Sequence, residues 1–255
     1  MSSFALKIIA LTAMVIDHIG DVWSYSIPNY LLLRVIGRIA FPLYAFMIAE
    51  GCRHTRNIKN YALRLGAFAL ISEFPFDLCF RNKGYITAGS ITFYSFEYQN
   101  VFFNLFLAVL AILIWENFKD KKYKFIAALA FPACMWAGEA MNADYGWFAV
   151  AFIAALYFIQ NKKLRVLAMV VGAAVLYLPD AGHAALMFGR RVSFGGVMFI
   201  AASLPAVPVW FYDGRRGLER VKSGFAQTAA KYFFYAMYPL HLAALAAINI
   251  LSRIF

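Results

Sequence analysis

The sequence predicts an all-α polytopic membrane bundle of about nine transmembrane helices. Three observations predict it: long apolar runs, too few charges for a soluble chain, and basic residues gathered in alternate connections. Of 255 residues, 63% are hydrophobic and 15% charged, and the mean hydropathy is +0.66. A soluble domain carries about 25% charged residues. Each membrane span uses about 20 residues, so one integral membrane domain, 1–255, accounts for the length. The 26 Phe and 15 Tyr crowd the ends of apolar runs, where aromatic rings anchor helices at the interface.

The apolar runs cover roughly 5–24, 29–52, 60–80, 99–116, 125–143, 145–160, 164–180, 192–211 and 229–251. The first contains Asp17 and His18 and is followed by no small-residue cleavage site, so it reads as a retained helix, not a signal peptide. Pro42 and Pro75 are expected to interrupt the second and third spans. Runs five and six meet at a tight turn, Asn142–Gly146. The longest polar connection, 81–98, holds Gly, Ser and Thr and is expected to carry a short non-helical piece. Cys52, Cys79 and Cys134 are scattered and show no CxxC or Cys/His spacing. Neither a metal site nor a disulfide framework is expected.

The net charge is +11. In a soluble protein this would raise nucleic-acid binding. Here the charges fall in short clusters between apolar runs, so the expected partner is a lipid bilayer and no nucleic acid. Clusters follow run two (Arg53, Arg56, Lys59), run four (Lys119, Lys121, Lys122, Lys124), run six (Lys162, Lys163, Arg165) and run eight (Arg215, Arg216, Arg220, Lys222). The other connections hold Arg81, Lys83, Arg190 and Arg191. Basic loops stay in the cytoplasm. The N-terminus and residue 120 are therefore expected inside, and residue 87 and the C-terminus outside.

A charge in hydrocarbon costs about 2.5–3.5 kcal/mol on insertion scales, so it needs a partner or water. Asp17, His18, Arg34, Arg38, Glu50, Glu73, Asp77, Glu139 and His241 all lie within apolar runs. At about 1.5 Å of rise per residue, His18, Arg38, Glu73, Glu139 and His241 converge on one layer near or just above the midplane. Polar residues often only glue membrane helices together. Two histidines, two arginines and several carboxylates in one layer point instead to a functional cavity, with a charge-paired structural network as the competing account.

Asp17 and His18 are neighbours and point about 100° apart on a helix, so Asp17 is poorly placed to orient His18. Arg34 and Arg38 share a face, as do Glu73 and Asp77. Two carboxylates this close require a proton or an arginine, and the two ladders could satisfy each other. That set reads equally as an ion network or as catalytic machinery. Arg53, His54, Arg56, Lys59 and Arg64 sit at the inner surface, as an ordinary positive-inside loop or as a phosphate clamp.

The stretches LKIIALTAMVIDHIG (6–20), RVIGRIAFPLYAFMIAEGCRHTRNIKNYALRLGAFALISEFPFDL (34–78), QNVFFNLFLAVL (99–110), DYGWFAV (144–150) and KYFFYAMYPLHLAAL (231–245) resemble the TraX family. Between about 151 and 210 only the hydrophobic pattern is similar. TraX acetylates the N-terminal amine of conjugative pilin subunits. The family also resembles bacterial O-acyltransferases of the acyltransferase-three type and the lysosomal heparan-glucosaminide acetyltransferase. The resemblance implies an enzyme of the bacterial inner membrane. It would take acetyl-CoA, or another acyl-CoA, from the cytoplasm and acylate an acceptor amine or hydroxyl, without a metal.

By position, His18 matches the first-helix histidine of those enzymes, as general base or transient acyl carrier. Arg38 or His241 would stabilise the developing oxyanion, with Asp17, Glu73 and Asp77 completing the catalytic set. Arg34, Glu50, Arg53, His54, Arg56, Lys59, Arg64, Asn100 and Tyr238 form the cofactor-binding set. The arginine-rich mouth suits the CoA phosphates, and a pantetheine arm of about 20 Å spans the distance to the His18 layer. Two other functions compete. A proton-coupled transporter also needs buried ionisable groups, and a non-catalytic pilus or envelope assembly partner needs none.

Overall fold

A computed structural model describes residues 1–81, 97–119, 122–215, 217 and 223–254. The described chain runs α1 (Ser3–Val22), α2 (Tyr30–Gly37), α3 (Ala40–His54), α4 (Ile58–Phe80), α5 (Val101–Phe118), α6 (Lys124–Ala128), α7 (Ala130–Ala140), α8 (Gly146–Phe158), α9 (Lys162–Tyr177), β1 (Ala184–Met187), β2 (Arg190–Ser193), α10 (Phe194–Ser203), α11 (Ala206–Trp210) and α12 (Gly224–Ile254). Apart from one hairpin, the regular structure is helical. Helix starts follow local chemistry. The side chains of Ser2, Asn57, Asn100, Asn161 and Ser193 accept first-turn N–H groups of α1, α4, α5, α9 and α10, which satisfies donors that no helical carbonyl can reach.

Every apolar run meets a helix or a helix pair. Among the described residues, four stretches are long and apolar enough to cross a membrane: Ser3–Val22, Tyr30–His54, Val101–Phe118 and Gly224–Ser252. The other runs are short, split or charged. α8 has 13 residues, about 20 Å of helix. α4 has 23 residues but carries Lys59, Arg64, Glu73 and Asp77.

The prolines act differently from expectation. α4 runs unbroken through Pro75. A proline removes one helical N–H and crowds the preceding turn, but Pro75 and its neighbour Phe76 are buried in packing, and that packing holds the helix together across the missing bond. Run two does break, but at Arg38–Ile39, ahead of α3. Pro42 falls in the first turn of α3, where the N–H has no helical partner to lose.

The chain divides into two compact units. Among the described residues, one holds 1–44 and 159–254, and the other holds 45–81 and 97–158. In the first, α2 lies so close to α1 that a Cβ on Gly37 would stand 2.1 Å from Asp17 Oδ1. α12 packs on α1 through Phe4 and Phe234, whose ring centroids are 5.7 Å apart. The Met1 ammonium donates to the Phe211 carbonyl at 2.6 Å and to Asp213 at 3.2 Å. The Arg215 guanidinium beside Asp213 holds that carboxyl below the usual carboxylate range. Lys162 lies 4.8 Å from the centre of the Trp210 ring. Met1, Lys162, Trp210 and Arg215 thus share one end of this unit. The far end carries the hairpin, where Asn29 Oδ1 accepts the Phe188 N–H at 2.9 Å.

In the second unit, α5 packs against α4, α7 and α8. The ends of α3, α5 and α8 meet where Arg53 reaches the α8 carbonyls and Tyr157 donates to Glu116 at 2.8 Å. At the other end Gln99 bridges Ala143, and Tyr98 donates to Asp144 at 2.6 Å. The tight turn after α7 is as expected, with positive φ at Asn142 (48°) and Gly146 (50°). In each unit the basic connections share one end, as the alternation predicts. The expected non-helical piece in 81–98 and the marker positions 87 and 120 lie outside the described residues, apart from residues 81, 97 and 98.

Candidate functional site: a histidine pair beside an arginine clamp

Helix α1 carries Asp17 and His18 in its last turns, and α12 carries Tyr238 and His241 one turn apart. His18 Nδ1 lies 2.6 Å from His241 Nε2, although the residues are 223 apart in sequence. His241 Nδ1 in turn lies 2.6 Å from the Met237 carbonyl oxygen. A carbonyl only accepts, so His241 Nδ1 carries a hydrogen. In a neutral imidazole the other nitrogen, Nε2, is then the acceptor. His18 must therefore donate to it from Nδ1, which leaves the lone pair of His18 on Nε2. Two hydrogen bonds thus select one tautomer of each ring. Tyr238 closes the cluster edge-on, its ring centroid 6.0 Å from His18 and 5.6 Å from His241. Tyr238 and His241 are buried, and His18 is half-buried.

Asp17 points elsewhere, as its offset from His18 requires. It accepts from Arg34 Nη1 at 2.9 Å and from Arg38 Nη2 at 2.5 Å. Arg34 also reaches Asp21 at 3.7 Å, and Arg38 donates to the Arg34 carbonyl at 3.0 Å and to Tyr177 at 3.3 Å. Asp17 is thus the counter-ion of an arginine clamp. Arg38, expected to aim at an oxyanion, aims its guanidinium at Asp17 and Tyr177.

The expected layer is distributed over both units. His18, Arg38 and His241 belong to the first, and Glu73, Asp77 and Glu139 to the second. Glu73 is fully buried and accepts from the side-chain amide of Asn100. Asn100 also donates to the Ala69 carbonyl at 2.9 Å and accepts the Phe102 N–H at 3.0 Å. Asp77, also fully buried, lies 3.8 Å from Arg81. Glu139 accepts the Trp147 N–H at 3.2 Å and so caps the start of α8. Glu73 and Arg34 each have partners that their spacing did not name.

The expected phosphate mouth separates into two kinds of residue. Arg53 is committed to Glu50, to the Tyr157 carbonyl at 3.1 Å and to the Leu156 carbonyl at 2.5 Å. These are the last orphan carbonyls of α8, and a cation there complements the helix end. His54 stands 3.3 Å from Glu50, and the Arg64 guanidinium lies 5.7 Å from the Tyr61 ring centre. Arg56 and Lys59 are exposed. Among the described residues, no cluster of three or more metal-ligating side chains occurs. The expected sets omitted Tyr177, Asn104, Glu116 and Tyr157. Asn104, fully buried, donates to the Gly146 carbonyl at 3.0 Å. Its amide inside the otherwise apolar stretch Val101–Trp115 of α5 was the available signal.

Long apolar helices enclosing paired charges and a tautomer-locked histidine pair define a helical protein with a polar interior. The family model described as TraX protein matches residues 2–249, and the chain belongs to the TraX family. It is 30% identical over 249 residues to "Probable fimbrial assembly protein FimC, serogroup H1" of Dichelobacter nodosus, across 96% of this chain and 94% of that protein. It is 26% identical over 159 residues to "Uncharacterized protein RP591" of Rickettsia prowazekii (strain Madrid E), across 62% of this chain and 56% of that one. No solved structure matches the chain.

Proposed function

We propose that this chain is an integral inner-membrane acyltransferase that moves an acetyl group from cytoplasmic acetyl-CoA to an acceptor amine or hydroxyl. The observation that carries the reading is the relay from the Met237 carbonyl through His241 to His18. A histidine held in one tautomer by a second group is how a general base is prepared. In the proposed step the neutral acceptor attacks the thioester carbonyl and His18 Nε2 takes its proton. The C–S bond then breaks, and the CoA thiolate leaves and recovers the proton. His241 supports the imidazolium by accepting its Nδ1–H throughout. On this reading the N-terminus is inside, because within the first unit the basic residues Lys162 and Arg215 share its end.

A second reading is supported by the description of the Dichelobacter relative as a probable fimbrial assembly protein. The two readings join if the acceptor is the N-terminal amine of a pilin-like subunit. They separate on chemistry, since a purely assembling protein has no use for a tautomer-locked base. The test is release of CoA thiol from acetyl-CoA by purified protein with a short peptide bearing a free N-terminus. His18→Asn should lose on the order of 100-fold in rate, a typical general-base contribution. Near-normal turnover by folded His18→Asn protein would remove His18 from the chemistry.

A further inference from the structure

The β1–β2 hairpin pairs Ala184 with Ser193 and Met187 with Arg190, so its loop is Phe188–Gly189 alone. Both loop residues have positive φ, 50° at Phe188 and 73° at Gly189. Such two-residue turns favour Asn or Asp followed by Gly, because few other side chains tolerate the first left-handed position. Phe188 is therefore a poor choice for the backbone, and its side chain must answer to something else. It is 60% exposed, as is Leu186 at 69%. Strand alternation puts Leu186 directly across from Arg191, also exposed, and Arg190 follows the turn. The tip thus offers exposed apolar side chains beside two exposed arginines.

The placement of the tip identifies what it meets. Asn29 ties Phe188 to the connection after α1, which carries Trp23 and Tyr25 and leads into Tyr30 at the start of α2. Tyr25 is 87% exposed. Aromatic residues gather at the membrane–water boundary. α1 itself has 20 residues, about 30 Å of helix, which matches the hydrocarbon thickness. The tip therefore lies one membrane thickness from the Met1 end, on the side where positive-inside accounting leaves arginines unexplained.

We infer that the hairpin is an interfacial foot: Phe188 and Leu186 enter the acyl boundary of the outer leaflet, while Arg190 and Arg191 bind anionic phospholipid headgroups. The inference rests on the membrane reading above and goes beyond it. Guanidinium groups match phosphate geometry. Each basic residue near an anionic surface changes local binding roughly fivefold.

The test uses full-length protein in vesicles of phosphatidylcholine with phosphatidylglycerol, with the three buried cysteines changed to alanine. A fluorescent probe is placed by Phe188→Cys or, as a control, by Ile200→Cys in the middle of α10. Lipids brominated near the headgroup should quench the probe at 188, and aqueous iodide should reach it poorly. Bromines carried on phosphatidylglycerol should quench it more than bromines on phosphatidylcholine. Arg190→Gln with Arg191→Gln should reduce that preference roughly fivefold per arginine. Quenching at 200 with free iodide access at 188 would overturn the foot, leave the membrane reading standing, and mark the hairpin as a surface for an aqueous partner. Loss of lipid quenching at both positions would overturn both readings. A preference unchanged by the arginine substitutions would overturn the headgroup assignment.

Discussion

The most discriminating perturbation falls on His241, because the relay gives it a role distinct from that of His18. His241→Phe keeps a ring in the stack but can neither accept the His18 Nδ1–H nor donate to Met237. What disappears is the bond of 2.6 Å that selects the His18 tautomer. A net hydrogen bond contributes about 1 kcal/mol, so the productive tautomer should become roughly fivefold less available. His18→Asn would remove the proposed base itself, at an expected cost on the order of 100-fold. His241→Gln is the informative rescue, since one amide can both accept from His18 and donate to the carbonyl. The assay is CoA thiol release, read as kcat and KM separately. A positioning role lowers kcat, leaves KM nearly unchanged, and ranks the variants Gln above Phe above His18→Asn. If His241→Phe falls as far as His18→Asn and Gln fails to rescue, His241 exchanges the proton itself. Full activity of His241→Phe would refute the relay.

Gly37→Ala should displace Asp17 from Arg34 and Arg38, since the new Cβ would stand 2.1 Å from Asp17 Oδ1. The clamp is half-buried, so its loss should cost less than the about 3–5 kcal/mol of a fully buried pair, and a thermal midpoint equal to the parent's would show that the clamp adds nothing. Arg53→Ala should lower stability through the lost bonds to Glu50, Leu156 and Tyr157, each worth about 1.5–3 kcal/mol if charge-assisted. Arg56→Ala should leave the midpoint alone and raise the KM for acetyl-CoA. The opposite pattern would restore Arg53 to the phosphate mouth. Asn100→Ala should cost about 1–3 kcal/mol by leaving Glu73 buried without its amide donor, and denaturant titration would measure it. Cysteine labelling of intact cells should modify His183→Cys and spare Gln160→Cys, both at exposed positions, and strong labelling at 160 would reverse the proposed orientation.

Much of this molecule is determined within short windows of sequence. Hydrophobicity is a local property, so each apolar run reappears as a helix or helix pair. The turn after α7 is legible from Asn142 and Gly146, which tolerate positive φ. The 100° step between adjacent helical residues already separated Asp17 from His18. The partners of the buried charges were not legible, because a side chain in a helix has several possible neighbours and sequence spacing orders only those on its own helix. Arg34 and Arg38 share a face, but that Asp17 sits between them follows from the close approach permitted at Gly37. The hairpin was hidden because Phe188–Gly189 lacks the usual turn residues and its strands have four residues each. Pro75 read as a break because the propensity penalty is local, whereas the packing that offsets it is not. His18 was recognisable as an ionisable residue in an apolar helix. Which of its nitrogens holds the lone pair is decided by a ring on α12, since a tautomer follows from hydrogen-bond partners and those exist only once the helices have packed.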